Sequence, residues 1–124
     1  FQAEIKTEQG VDLTSEKFDQ HRALISSASD YQTSQLLGSN MREAGIEAFL
    51  YYSARDPQQG KNIGLFTPNA FAEKSPLTKS WQTWQCNATD NTVEFIRQSV
   101  SKRKIITYNI KDFLVNGSLP QPAH

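Results

Sequence analysis

Residues 46–52, Ile-Glu-Ala-Phe-Leu-Tyr-Tyr, constrain the fold more than any other stretch. They are aromatic and aliphatic with one charge, the composition of a strand in the middle of a sheet. The run stops abruptly at Ser53-Ala54-Arg55-Asp56-Pro57, and a second apolar run follows at Asn62-Ile63-Gly64-Leu65-Phe66. The pattern is strand, polar turn, strand. Small polar groups at the end of a buried strand are held in place by the strand and left open to a ligand by the loop.

The rest of the chain is sorted around that hairpin. Residues 1–7 alternate, with Phe1, Ala3 and Ile5 against Gln2, Glu4 and Lys6, as a half-buried first strand would. A turn is expected near Gln9-Gly10, a short extended piece at 11–13, and a helical turn through 17–19 capped by Thr14 or Ser15. Residues 26–29 form a small polar linker. The spacing predicts a helix over 30–44, with Ser29 or Asp30 as N-cap and Gly45 as the left-handed residue that ends it. Leu37, Met41 and Ala44 share its apolar face, and Gly38 marks a close packing contact. A single turn is expected at 69–71. Further strands are expected at 62–66, 79–86, Thr92–Gln98 and 104–110, with a break at Gly117-Ser118 and a tail over 115–124. Strands in succession with hairpin-length connections favour antiparallel pairing, so the fold class is α+β.

A chain of 124 residues holds one small domain, spanning 1–124. Lys plus Arg and Asp plus Glu both number 13, so no net field recruits nucleic acid or an anionic membrane. No apolar run approaches the roughly 18–20 residues that cross a bilayer. Residues 1–5 lack the basic start and long apolar stretch of a signal peptide. Cys86 is the only cysteine, which excludes an internal disulfide and suits a reducing cytoplasm. Beside Trp84 in an expected strand, it reads as a buried, inert thiol. His21 reads as a solvated surface residue and His124 is the last residue, so no metal site is expected. Neither a nucleophile elbow nor a glycine-rich phosphate loop is present.

Ser53 offers a hydroxyl that orients an amide or a ribose, Arg55 a permanent charge that holds phosphate bidentately, and Asn62 both donor and acceptor. Together they suit nucleotide recognition. The competing reading is a polar loop with Arg55 paired to Asp56 or Glu47. Trp81 and Trp84, three apart, face opposite sides of an expected strand as packing residues, and Lys102-Arg103-Lys104 reads as a solvated turn.

Asp30-Tyr31, Gln35 and Arg42, then Tyr52-Ser53-Ala54-Arg55-Asp56, Gly60, Asn62, Leu65-Phe66-Thr67-Pro68 and Ala70-Phe71, resemble the C-terminal half of the RES domain. That family is named for an arginine, a glutamate and a serine. Trp84, Val93, Phe113 and Gly117-Ser118-Leu119-Pro120 look like the tail of its longer bacterial members, so the resemblance runs from about Ile5 almost to the end.

The resemblance implies a mixed sheet like that of ADP-ribosyltransferases, incomplete in this chain. It implies a cytoplasmic toxin of a bacterial toxin–antitoxin pair that cleaves the nicotinamide glycosidic bond of NAD, as a glycohydrolase or phosphorylase. NAD is then a substrate, no cofactor is needed, and a protein antitoxin is the expected partner. The alternatives are a protein ADP-ribosyltransferase and a non-catalytic binding or interaction domain. Ser53 takes the place of the family's serine as the catalytic-site residue, with Tyr52, Arg55 and Asn62 as substrate-binding residues. The family's arginine and glutamate lie upstream of the first strand, and Glu4, Glu8 and Glu16 stand in the wrong context to replace the glutamate. The chain, which opens on Phe1 inside an alternating pattern, is therefore expected to be part of a longer protein, to hold half a site, to be inactive alone and to self-associate.

Overall fold

A computed structural model describes residues 1–56, 58–77, 80–99 and 103–120. The chain forms two compact units, one of residues Glu4–Ala72 with Pro120, the other of Phe1–Ala3 with Glu73–Leu119.

The first unit holds a mixed three-stranded sheet. β1 (Gly10–Asp12) runs parallel to β2 (Ala48–Tyr52), and β2 runs antiparallel to β3 (Lys61–Leu65), so the most apolar strand is central, as its composition requires. Between β1 and β2 come a 3-10 turn (Glu16–His21) led by Ser15, a one-turn helix α1 (Arg22–Ile25), and α2 (Gln32–Glu43). α1 ends where the polar linker of 26–29 begins. Tyr31 occupies the N-cap of α2, while the Asp30 carboxylate accepts from the Gln32 N–H at 3.0 Å. Gly45 follows the helix at φ +76°, the left-handed stop its position predicts. Met41 is buried and Leu37 half-buried, but Ala44 is exposed and the space beside Gly38 is open, so neither closes a packing contact.

Residues 1–7 do not form the first strand. Their pairing is an isolated bridge, Ile5 to Phe71, flanked by Lys6 N–H to Ala70 C=O and Ala72 N–H to Glu4 C=O, both 2.9 Å. The first strand is Gly10–Asp12 because Gln9 C=O accepts from the Glu47 N–H at 2.8 Å and sets the chain alongside β2. Leu13, Met41, Ala48 and Ala70 form the buried apolar core. Phe49 stacks between Tyr51 and Phe66, with ring centroids 5.5 and 5.1 Å away. Its ring lies over Gly64, its partner on β3. A Cβ there would come within 2.3 Å of the ring edge, so the glycine is needed for close approach.

The second unit is an antiparallel meander of β4 (Thr83–Ala88), β5 (Thr92–Gln98) and β6 (Lys104–Asn109). A 3-10 turn (Ile110–Phe113) ends it, with a two-way cap between Asn109 and Asp112. Asn116 (φ 52°) and Gly117 (φ 78°) make the tight turn that closes the Val115–Ser118 bridge. Ile96 is the buried apolar residue of this sheet. Every residue of β4 is exposed, Cys86 included. The expectation of a buried thiol fails because β4 is an edge strand whose side-chain row is uncovered. Trp81 precedes β4 and tilts against Phe1 at 5.6 Å. Of the residues assigned to strands, turns or tail, Pro57, Lys79, Lys102 and 121–124 lie outside the described residues.

Candidate functional site

β2 delivers its last residue, Tyr52, to a corner built from three segments. The Ser26 hydroxyl donates to the Tyr52 carbonyl at 3.2 Å. The Arg22 guanidinium lies over the Tyr52 ring at 4.4 Å and the Lys61 ammonium at 5.6 Å, both within cation–π range. Arg22 is also ion-paired to Asp19, one turn back along the chain. Tyr52 therefore sits between two cations brought by α1 and β3.

Just past the strand, the Ser53 N–H donates to Gly60 C=O at 2.9 Å and holds the hairpin closed. The Ser53 hydroxyl accepts from the Asp56 N–H at 3.2 Å, which leaves its own proton free to donate elsewhere. The Asp56 carboxylate accepts from Gln58 N–H at 2.9 Å and Gly60 N–H at 3.1 Å. It is a loop organiser, so it is not the partner of Arg55. Glu47 is taken by the Thr7 hydroxyl. Arg55 donates instead to the Tyr31 hydroxyl, which in turn donates to Ala28 C=O at 3.0 Å. Neither ion pair expected for Arg55 forms.

A cavity of about 300 Å³ opens beside this corner. It is lined by Leu13, Ser26, Tyr31, Met41, Phe49, Tyr51, Tyr52 and Ala54, among others. Its size is at the lower end of ordinary ligand pockets, and its aromatic walls with a few polar groups match their usual lining. Of the sequence-chosen residues, Tyr52 lines the cavity and Arg55 touches it through Tyr31. Ser53, between the lining residues Tyr52 and Ala54, is not itself among the residues that line it. Asn62 is exposed on β3 and pairs with Tyr51, so the two side chains share a sheet face. Arg22, Tyr31 and Ser26 were not singled out for the site by sequence. Tyr31 stood within the family resemblance, but nothing in the local pattern ties residues 22–31 to 52–55.

One carboxylate of this unit is electrostatically perturbed. Asp12, at the end of β1, accepts from the Thr14 hydroxyl at 2.6 Å and the Thr14 N–H at 2.8 Å. Those bonds, with a smaller contribution from Lys61, hold its carboxyl below the usual carboxylate range.

Among the described residues no helix is long and apolar enough to cross a membrane. No curated protein matches the chain. The family model of the RES domain matches residues 1–87, which take in residues 4–72 of the first unit and the start of the meander. The chain belongs to the RES domain family, a family associated with NAD-related toxins.

Proposed function

We propose that this chain forms the nicotinamide-side wall of a site that cleaves NAD, in a toxin of a toxin–antitoxin pair. The observation that carries the reading is the aromatic corner at Tyr52, with Arg22 and Lys61 at its ring and Arg55 on the Tyr31 hydroxyl beside the cavity. Aromatic walls accept a planar pyridine ring, and guanidinium and ammonium groups at the mouth complement a diphosphate. Ser53 donates its free proton to the nicotinamide carboxamide, and Asn62 reaches the ribose. In hydrolysis the bond from ribose C1′ to the pyridine nitrogen breaks and nicotinamide leaves with the electron pair. The water oxygen bonds to C1′, and its proton goes to solvent. Inorganic phosphate in place of water gives the phosphorylase reaction, and a protein side chain gives ADP-ribosyl transfer.

A second reading, a binding module without turnover, is favoured by one feature. No carboxylate is among the described residues that line the cavity. An oxocarbenium-like transition state needs a placed carboxylate.

Calorimetric titration of the 124-residue chain with NAD, ADP-ribose and nicotinamide tests the site, with nicotinamide release followed by chromatography. Saturable NAD binding is expected. Ser53→Ala should weaken binding about ten- to a hundredfold, the worth of one hydrogen bond of about 1.5–3 kcal/mol to a charged or polarised group, in a chain that still unfolds cooperatively. Nicotinamide release by this chain would remove the binding-only reading. Absence of saturable binding would remove the site.

A further inference from the structure

The two outer edges of the β4–β5–β6 meander differ, and the hydrogen bonds at its turns show how. The Thr89 N–H donates to Thr92 C=O at 2.9 Å, and these residues are directly opposite in the β4–β5 register. In an antiparallel pair, residues that bond the partner alternate with residues that point away. Thr83, Gln85 and Asn87 therefore bond β5, while Trp84, Cys86 and Ala88 turn their N–H and C=O groups to the free edge. The Ile110 N–H bond to Asn91 C=O, 2.8 Å, fits the same alternation on the other side of β5.

The far edge, on β6, is partly blocked. Its outward groups belong to Ile105, Thr107 and Asn109, and the Asn109 N–H is already taken by the Asp112 carboxylate at 3.1 Å. Two cations, Arg103 and Lys104, stand at its start. Charges and a covering turn are the usual devices that stop an edge from pairing. The β4 edge has none of them. Thr83–Ala88 carries no charge, proline or bulge, its register with β5 is unbroken, and all six residues are exposed.

We propose that the β4 edge pairs antiparallel with the β4 edge of a second copy of this chain, about a two-fold axis at Cys86. The occupant follows from self-complementarity. With Cys86 facing Cys86 of the second copy, Trp84 falls opposite Ala88 and Ala88 opposite Trp84, a large side chain over a small one. Gln85 falls opposite Asn87, two amides that already bond one another within the chain at 3.1 Å. All three outward residues enter bonded pairs, so about six backbone hydrogen bonds form. The neutral net charge of the chain does not oppose association.

Light scattering after size exclusion, under reducing conditions and over about a hundredfold range of concentration, reads the equilibrium. The mass is expected to rise from one chain to two. Cys86→Lys places two ammonium groups opposite one another on the axis and should raise the dimer dissociation constant at least about tenfold. Cys86→Ser should leave it within about twofold, since the pairing is through the backbone. Mild oxidation should link wild-type chains through Cys86, because bonded antiparallel partners have Cα atoms about 5.5 Å apart, within disulfide reach. Ala88→Lys repeats the test should Cys86→Lys fail to fold. A monomer at every concentration, or a dimer indifferent to both lysine substitutions, overturns the proposal.

Discussion

The sheet of β1, β2 and β3 and the sheet of β4, β5 and β6 each have three strands, but they are stabilised differently. The first is ordered by packing. Its central strand carries Ala48 in the core, and Phe49 lies in a ring stack over a glycine chosen for lack of bulk. The second is ordered by register and caps. Ile96 is its buried apolar residue, while Trp84, Phe95 and Ile105 remain 38 %, 36 % and 52 % exposed. A side chain withdrawn from water contributes in proportion to the area removed, so equal truncations should cost the two sheets unequally.

The largest effect should come from filling the space over Gly64. Gly64→Val drives a side chain into the Phe49 ring, which Tyr51 and Phe66 flank, and should destabilise by about 3 kcal/mol in urea denaturation. A well-folded variant of unchanged midpoint would mean that the ring moves freely. Next, Met41→Ala should cost about 2 kcal/mol, the low end for this truncation because Met41 already borders the cavity. Ile105→Ala in the second sheet should stay within about 0.5 kcal/mol, as for an ordinary surface change. Equal costs would break the comparison. Gly38→Ala, by contrast, meets open space in mid-helix and should stabilise by about 0.5–1 kcal/mol.

The smallest effect concerns acid. The Asp12 carboxyl is held below its ordinary value of 3.8, by the Thr14 hydroxyl first and the Thr14 N–H second. A depressed folded-state pKa gives stability that is present above the unfolded value and lost as pH falls through the folded one. Asp12→Asn should therefore shallow the fall in melting temperature below about pH 4, leaving neutral-pH behaviour little changed apart from the altered Thr14 bonds. An acid limb identical to wild type would show that Asp12 is not a source of it.

What the sequence disclosed followed the range of its signals. The alternation of Thr92–Gln98 gave that strand its bounds, and the charge-poor run at 46–52 located the central strand of the first sheet. Gly45 located the end of α2. Residues 1–7 alternate equally well yet make one bridge, because alternation reports a half-buried face and not the presence of a partner strand. β1 is three residues long and pairs with a strand far along the chain, a contact no local pattern encodes. Ser53 was legible as the residue that follows the apolar strand. The Arg55–Tyr31 bond spans 24 residues and Arg22 over Tyr52 spans a helix boundary, so both needed the fold.

The carboxylate of Asp112 has a consequence beyond its own turn. By holding the Asn109 N–H it removes one donor from the β6 margin of the meander. A sheet sticky on both sides grows by head-to-tail addition and has no reason to stop, which is how fibres arise. A sheet sticky on one side has a final size, since two copies exhaust what either has to offer. In the proposed pairing Asp112 is a terminator of assembly, and its loss would matter less to one folded chain than to what many of them become together.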